Sequence, residues 1–177
     1  MTINAYKFGL NDCKVAPWSA AESYGTAVDV ESIQLMGVEF NTESGQLEGD
    51  DIITDAHAKI QSVTVRIRFG FKDLDVVEVL TGVTNTESAP NSESMIFGRD
   101  NMQYFALCGR VDSTEGGGDM HIFIPKCKLM EGFGLTMEKG RYITPEITAM
   151  AVYEGATYGM AKVIQHNTAA DVVIPPV

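Results

Sequence analysis

Cysteine, tryptophan and basic residues are all scarce in this chain of 177 residues, and each shortage closes off a class of protein. Cys13, Cys108 and Cys127 are odd in number and widely spaced, which fits neither a disulfide framework nor a zinc pattern. They read as reduced thiols, with Cys108 and Cys127 in strands. Lys and Arg total 13 against 24 Asp and Glu, a formal charge of −11. Such a surface lacks the clustered cations that sequence-independent binding to nucleic acid requires. No stretch approaches the roughly 20 apolar residues of a membrane span. The first twenty residues include Lys7, Asp12 and Lys14 and hold no apolar segment of a secretory signal. Together these absences lead us to expect a soluble protein made in a cytoplasm.

Apolar residues make up 45% of the chain and charged residues 21%, which is a globular rather than a disordered balance. A domain of this length buries roughly 70% of its unfolded surface, enough for a core without metal or disulfide staples. The expectation is one domain over residues 1–177, with arms at residues 1–31 and 165–177. Residues 1–31 keep no period of two or 3.6, and Gly9, Pro17 and Gly25 interrupt them. The single tryptophan, Trp18, suits an anchor against the body or a neighbour. The tail closes on Ile174-Pro175-Pro176-Val177, an extended segment that needs a neighbour for order.

From residue 33 the pattern becomes β-like. Ile33 to Phe40 is rich in apolar and β-branched residues, and Asn41 to Gly45 reads as a break after it. Between Ser62 and Phe71 the period is strictly two. Val63, Val65, Ile67, Phe69 and Phe71 share one face, and Ser62, Thr64, Arg66, Arg68 and Gly70 the other. The intervening Leu47 to Lys59 is polar and irregular, and is expected to be a long ordered loop. A short helix follows, with Asp73 as its cap, Leu74, Val77 and Leu80 on one face, and Gly82 as a left-handed stop. Residues 83–100, rich in Asn, Ser, Glu and Thr, read as a mobile connection. Strands over 103–111 and 120–129 flank Gly116-Gly117-Gly118 as a hairpin, and further strands are expected over 142–153 and 158–164. Pro125 and Pro145 mark edges, bulges or strand starts, because proline cannot donate to a ladder. With no alternation of helices and strands, the predicted fold is mainly β, an antiparallel sandwich or barrel with one short flanking helix.

The search for chemistry returns little. Asp50, Asp51, Asp55 and His57 form the densest polar cluster and offer ligands for a hard or borderline metal, but their spacing matches no calcium loop or zinc-protease helix. His121 alternates within a strand and reads as a packed histidine; His166 lies near the tail, and neither has a partner nearby in sequence. Cys108 and Cys127 lack an evident base or oxyanion donor. The three glycines lack the lysine and helix of a phosphate-binding loop. No enzyme, cofactor or metal is expected. Arg66 and Arg68 share a strand face, which suits either solvent or an interface with acidic neighbours.

The stretch Ile33 to Gly82 resembles the tail tube proteins of long-tailed bacteriophages. The resemblance is carried by the strand near Val38-Glu39-Phe40, the Leu47-Glu48-Gly49-Asp50-Asp51 segment, the Ser62 to Phe71 strand, and Leu74 to Gly82. It implies a virion protein, assembled in the host cytoplasm, that forms stacked rings of six copies around a channel for DNA. Its partners would be further copies of itself, the tape measure, tail tip and terminator proteins, and DNA passing without sequence-specific contact; no membrane is implied. By the same resemblance Gly49, Asp50, Asp51, Ile52, Ile53, Thr54, Asp55, Ala56 and His57 would reach the adjacent ring, and the two arms would contact neighbouring subunits. Arg66 and Arg68 are candidate charges for offsetting repulsion between acidic rings. Alternatives are a related secretion-system tube, a tail terminator, a monomeric small-ligand-binding β-barrel, and a metal hydrolase using Asp50, Asp51, Asp55 and His57.

Overall fold

The computed structural model describes residues 7–49, 52–72, 74–88, 92–98, 102–114 and 118–176. Its strands are β1 (Lys7–Ala20), β2 (Ser23–Tyr24), β3 (Val28–Asp29), β4 (Ile33–Gly49) and β5 (Ile52–Phe69), followed by helix α1 (Asp75–Thr81). After the helix come β6 (Thr86–Ser88), β7 (Ser92–Ser94), β8 (Phe105–Ser113), β9 (Met120–Leu129), β10 (Glu146–Ala151) and β11 (Lys162–Gln165). Nine strands form one antiparallel sheet in the order β2-β1-β8-β9-β10-β5-β4, with β3 also on β1 and β11 also on β9. β6 and β7 pair separately, within the segment expected to be a mobile connection. The protein is therefore mainly β with one short helix, in the sandwich or barrel class expected. The sheet curls: on β4, Met36 lies so close to β8 that its Sδ would be 2.3 Å from any Cβ at Gly109. A glycine is what permits this approach.

β5 shows why the period of two was informative. Val63, Val65, Ile67 and Phe69 are all buried while Arg66 and Arg68 face solvent. Phe71 lies beyond the strand, with its N–H donating to Ile143 O at 2.9 Å. The main core joins these residues to Cys13 and Val15 of β1, Phe105 and Leu107 of β8, Ile124 and Cys127 of β9, and Ile147 of β10. Val76, Val79 and Leu80 of α1 close it. The helix ends at Gly82, at φ 74°, whose N–H donates to Glu78 O at 2.7 Å. Its first position is flanked by Leu74 without a side-chain cap, and Asp73 lies outside the described residues. Pro145 immediately precedes β10, and Pro125 falls where the β8–β9 register slips between Phe105 and Leu107. Both are places where a missing N–H is tolerated.

Three expectations are corrected. Residues 7–20 are not an arm: β1 is an interior strand, with Val15 opposite Leu107 and Val28 on its two sides. Bulges between Lys7 and Asp12, at Gly9 with φ 78°, break its period, and burial of both Val15 and Ala16 removes the alternation. The tail from 165 also finds its neighbour within the chain. Val172 and Ile174 pack with Ala106, Cys108 and Phe123 on the second face of the sheet, beside Tyr24 and Tyr158. Finally, Asn41 to Gly45 is no break, and residues 47–49 and 52–59 are no loop; they belong to the paired strands β4 and β5.

Candidate assembly surface

The β4–β5 ladder runs from Ile33 opposite Phe69 out to Gly49 opposite Ile52, with register shifts after Ile33, Asn41 and Leu47. Near the body this pair has one buried face. Beyond Asn41 that ends: residues 41–46 and 56–61 are exposed on both faces. A β-strand needs alternation only where one face is dry, so a two-sided wet ribbon reads as a loop in sequence. At about 3.4 Å per residue the nine residues from Asn41 to Gly49 carry it about 30 Å. Lys59 Nζ pairs with Glu43 Oε2 at 3.1 Å across the ribbon, and Asn41 Nδ2 donates to Ser62 Oγ and Thr64 Oγ1 at its base.

Seven of the nine residues of the sequence-derived candidate segment now have a place. Gly49 pairs with Ile52, Ile53 with Glu48, Asp55 with Leu47, Ala56 with Gln46 and His57 with Gly45, so the segment is the distal half of the ribbon with Thr54 between. Asp50 and Asp51 lie outside the described residues. The segment is thus strand where a loop was expected, but it does project. Its sequence from Glu39 to Gln61 carries six acidic residues against the single cation Lys59.

Arg66 and Arg68 lie on the outer face of β5, clear of the ribbon. Arg66 sits between Gly37 on β4 and Thr148 on β10 and makes no ion pair among the described residues. Arg68 Nη1 is 3.8 Å from Glu146 Oε2, its ladder partner on β10. Both groups of that pair are exposed, so it contributes about 0–1 kcal/mol. Further apolar groups stand open nearby: Phe40 is 47% exposed and Ile60 51% along the ribbon base, and Met137 81% and Tyr142 94% on the 130–145 connection. Beside Tyr142, a cleft of about 270 Å³ is lined by Thr136, Glu138, Arg141, Thr144 and Glu146, a polar and open set. β4, 17 residues long, ends the sheet order, and among the described residues no strand pairs with its outer edge. Unpaired edges of this length invite another strand.

Nucleophile chemistry finds no support in the geometry. All three thiols are buried, and burial pushes each one up, Cys108 to about 12 and Cys13 and Cys127 well above the ordinary thiol value. Protonated, water-excluded thiols are poor nucleophiles. The structure does bring together two histidines that sequence kept apart: the rings of His121 and His166 are 4.6 Å centroid to centroid, with Asp119 beside them. The only local signal was the Asp119-Met120-His121 alternation; the third member arrives through the β9–β11 pairing. No helix among the described residues is long and apolar enough to cross a membrane. No protein-family model matches the chain, and neither does any curated protein.

Proposed function

We propose that this chain is a structural virion protein that self-assembles into the stacked rings of a phage tail tube. The observation that carries the proposal is the β4–β5 ribbon, which runs on past the body and whose residues 41–46 and 56–61 are exposed on both faces. A two-stranded ribbon alone in water is marginally stable at best, so its length favours a role completed by a neighbour. The ribbon coincides with the segment that the family resemblance assigns to contact between rings. The open edge of β4 supports the same reading, since closure into a ring removes an edge that a monomer must otherwise protect.

Charge fits a conduit. Six copies at −11 each carry about −66 per ring, and the share facing the lumen would repel the phosphates of passing DNA. No catalysis and no cofactor enters this function. Electron microscopy of the purified protein over a concentration series, with solution mass alongside, tests it. Rings or hollow tubes of constant diameter are expected. Persistent monomers at high concentration, with or without a tail-initiating complex, would overturn it and favour a ligand-binding barrel.

A further inference from the structure

Asp119 and His121 flank Met120 at the start of β9, and the two-residue period of an extended chain sends both side chains to one face. β11 runs antiparallel beside them, with Ile164 opposite His121 and Gln165 opposite Met120. One step further His166 comes opposite Asp119, its backbone N–H donating to Asp119 O at 2.9 Å. A cross-strand pair and its diagonal neighbour therefore converge. One carboxylate oxygen and one nitrogen from each imidazole lie within 4.8 Å of one another. The main chains approach closely because residue 118 is glycine at φ 43°; a Cβ there would lie 1.8 Å from His166 O.

The cluster is dry and under-satisfied. Asp119 and His121 are each 1% exposed. Asp119 Oδ2 accepts the Ala170 N–H at 2.8 Å, but Oδ1, both ring nitrogens of His121 and Nε2 of His166 have no hydrogen-bond partner among the described residues. His121 Nε2 is 3.3 Å from Asp119 Oδ2 without the alignment of a hydrogen bond. A buried polar group left unmet is costly, so four such atoms in one place call for an occupant. Burial pushes the Asp119 carboxyl up, but the Ala170 N–H and the facing imidazoles outweigh it and hold the group below its ordinary value.

The nearby cations are engaged elsewhere. Arg110, opposite His121 on β8, donates to Ala170 O at 3.1 Å and lies 3.2 Å from Asp112 Oδ1. Lys7 Nζ donates to Gly118 O at 3.3 Å. Asp112 offsets the charge of Arg110, and Lys7 is held on a main-chain carbonyl.

We propose that Asp119, His121 and His166 form a binding site for a divalent transition-metal cation of the zinc class, which ties the C-terminal tail to the sheet. Two imidazoles with one carboxylate suit zinc or cobalt, whereas calcium and magnesium take oxygen ligands. Ligands about 2.0–2.2 Å from a tetrahedral ion are about 3.4 Å apart, so the donors draw in by about 1 Å on binding. Three protein donors leave the fourth position to a solvent ligand, and because His166 begins the segment that carries Val172 over Phe123, the ion would hold that segment to β9.

The test treats the full-length protein with a chelator and titrates it with Co²⁺, following visible d–d absorption, metal stoichiometry by mass spectrometry and melting temperature. Saturable uptake of one ion per chain, with a higher melting temperature, is expected. His166→Ala should lower affinity at least about 100-fold, beyond the 10–100-fold typical of residues that only orient ligands. Asp119→Asn, which keeps an acceptor for Ala170, serves as the second variant should His166→Ala fail to fold by circular dichroism. Glu131→Gln, on an exposed position of the 130–145 connection, should bind as the parent does. Absence of saturable uptake, uptake unchanged in both ligand variants, or preference for Ca²⁺ or Mg²⁺ would each overturn the proposal.

Discussion

Glu154 accepts the indole N–H of Trp18 at 2.7 Å, joining residues 136 positions apart. The same oxygen takes the Glu22 backbone N–H at 3.2 Å, and Oε2 lies 3.6 Å from Lys126 Nζ. Lys126 in turn sits 3.7 Å above the Trp18 ring. A buried carboxylate is thus surrounded by three donors from β1, the turn after it and β9.

Removing that carboxylate leaves the donors unmet. Glu154→Ala should destabilise the fold by about 3 kcal/mol, whereas Glu154→Gln, which keeps an acceptor for Trp18, should lose about 1 kcal/mol. Urea denaturation monitored by the single tryptophan would measure both. Equal losses would show that packing rather than the acceptor matters at this position.

The buried thiols give the stability a sign in alkali. Each is held protonated in the folded chain above the ordinary thiol value of 9.0, Cys108 as far as about 12. Above pH 9 the unfolded chain therefore binds fewer protons than the native one, and stability falls as pH rises, by up to about 1.4 kcal/mol per pH unit per thiol. The melting temperature should be level up to about pH 8 and fall beyond 9. Cys13, Cys108 and Cys127 should resist a thiol reagent at pH 8 until the protein is unfolded.

What sequence revealed and what it concealed divides along one physical line. The β5 alternation from Val63 to Phe69 was legible because one face is dry and the other wet, and Gly82 was legible because a left-handed stop needs glycine. β1 was hidden because bulges around Gly9 shift its register and the adjacent Val15 and Ala16 are both buried; the ribbon was hidden because its residues 41–46 and 56–61 are wet on both faces. The Asp119, His121 and His166 cluster was hidden differently. Its third member is supplied by strand register, and 45 positions separate His166 from His121 in the chain.

Excision of the ribbon separates folding from assembly. Asn41 and Ser62 are ladder partners, so residues 42–61 can be replaced by an Asn-Gly turn that rejoins the strands. The ribbon buries little, and the unfolding free energy should change by less than about 1 kcal/mol. Tubes should be lost. Microscopy showing normal tubes from a folded variant would remove the ribbon from the assembly.

Charge reversal on β5 probes a different surface. Arg68→Glu sets a carboxylate against Glu146, and Arg66→Glu adds another on the same face. Because both positions are exposed, each change should cost under about 1 kcal/mol in the subunit. The double variant should assemble poorly at low salt and recover at high salt, as screening shortens the reach of the repulsion. Sedimentation across ionic strengths would read this.

The placement of β1 also sets a timetable for synthesis. Val15 has its ladder partner at Leu107, so this strand leaves the ribosome long before the one that completes it. At about 5–20 residues per second the 85 residues between Ala20 and Phe105 take about 4 to 17 s to appear. Throughout that wait Val15 and Ala16, buried on opposite faces in the finished sheet, have no β8 to shelter against. The nascent chain consequently carries these two apolar residues without their partner strand until the middle of the protein arrives.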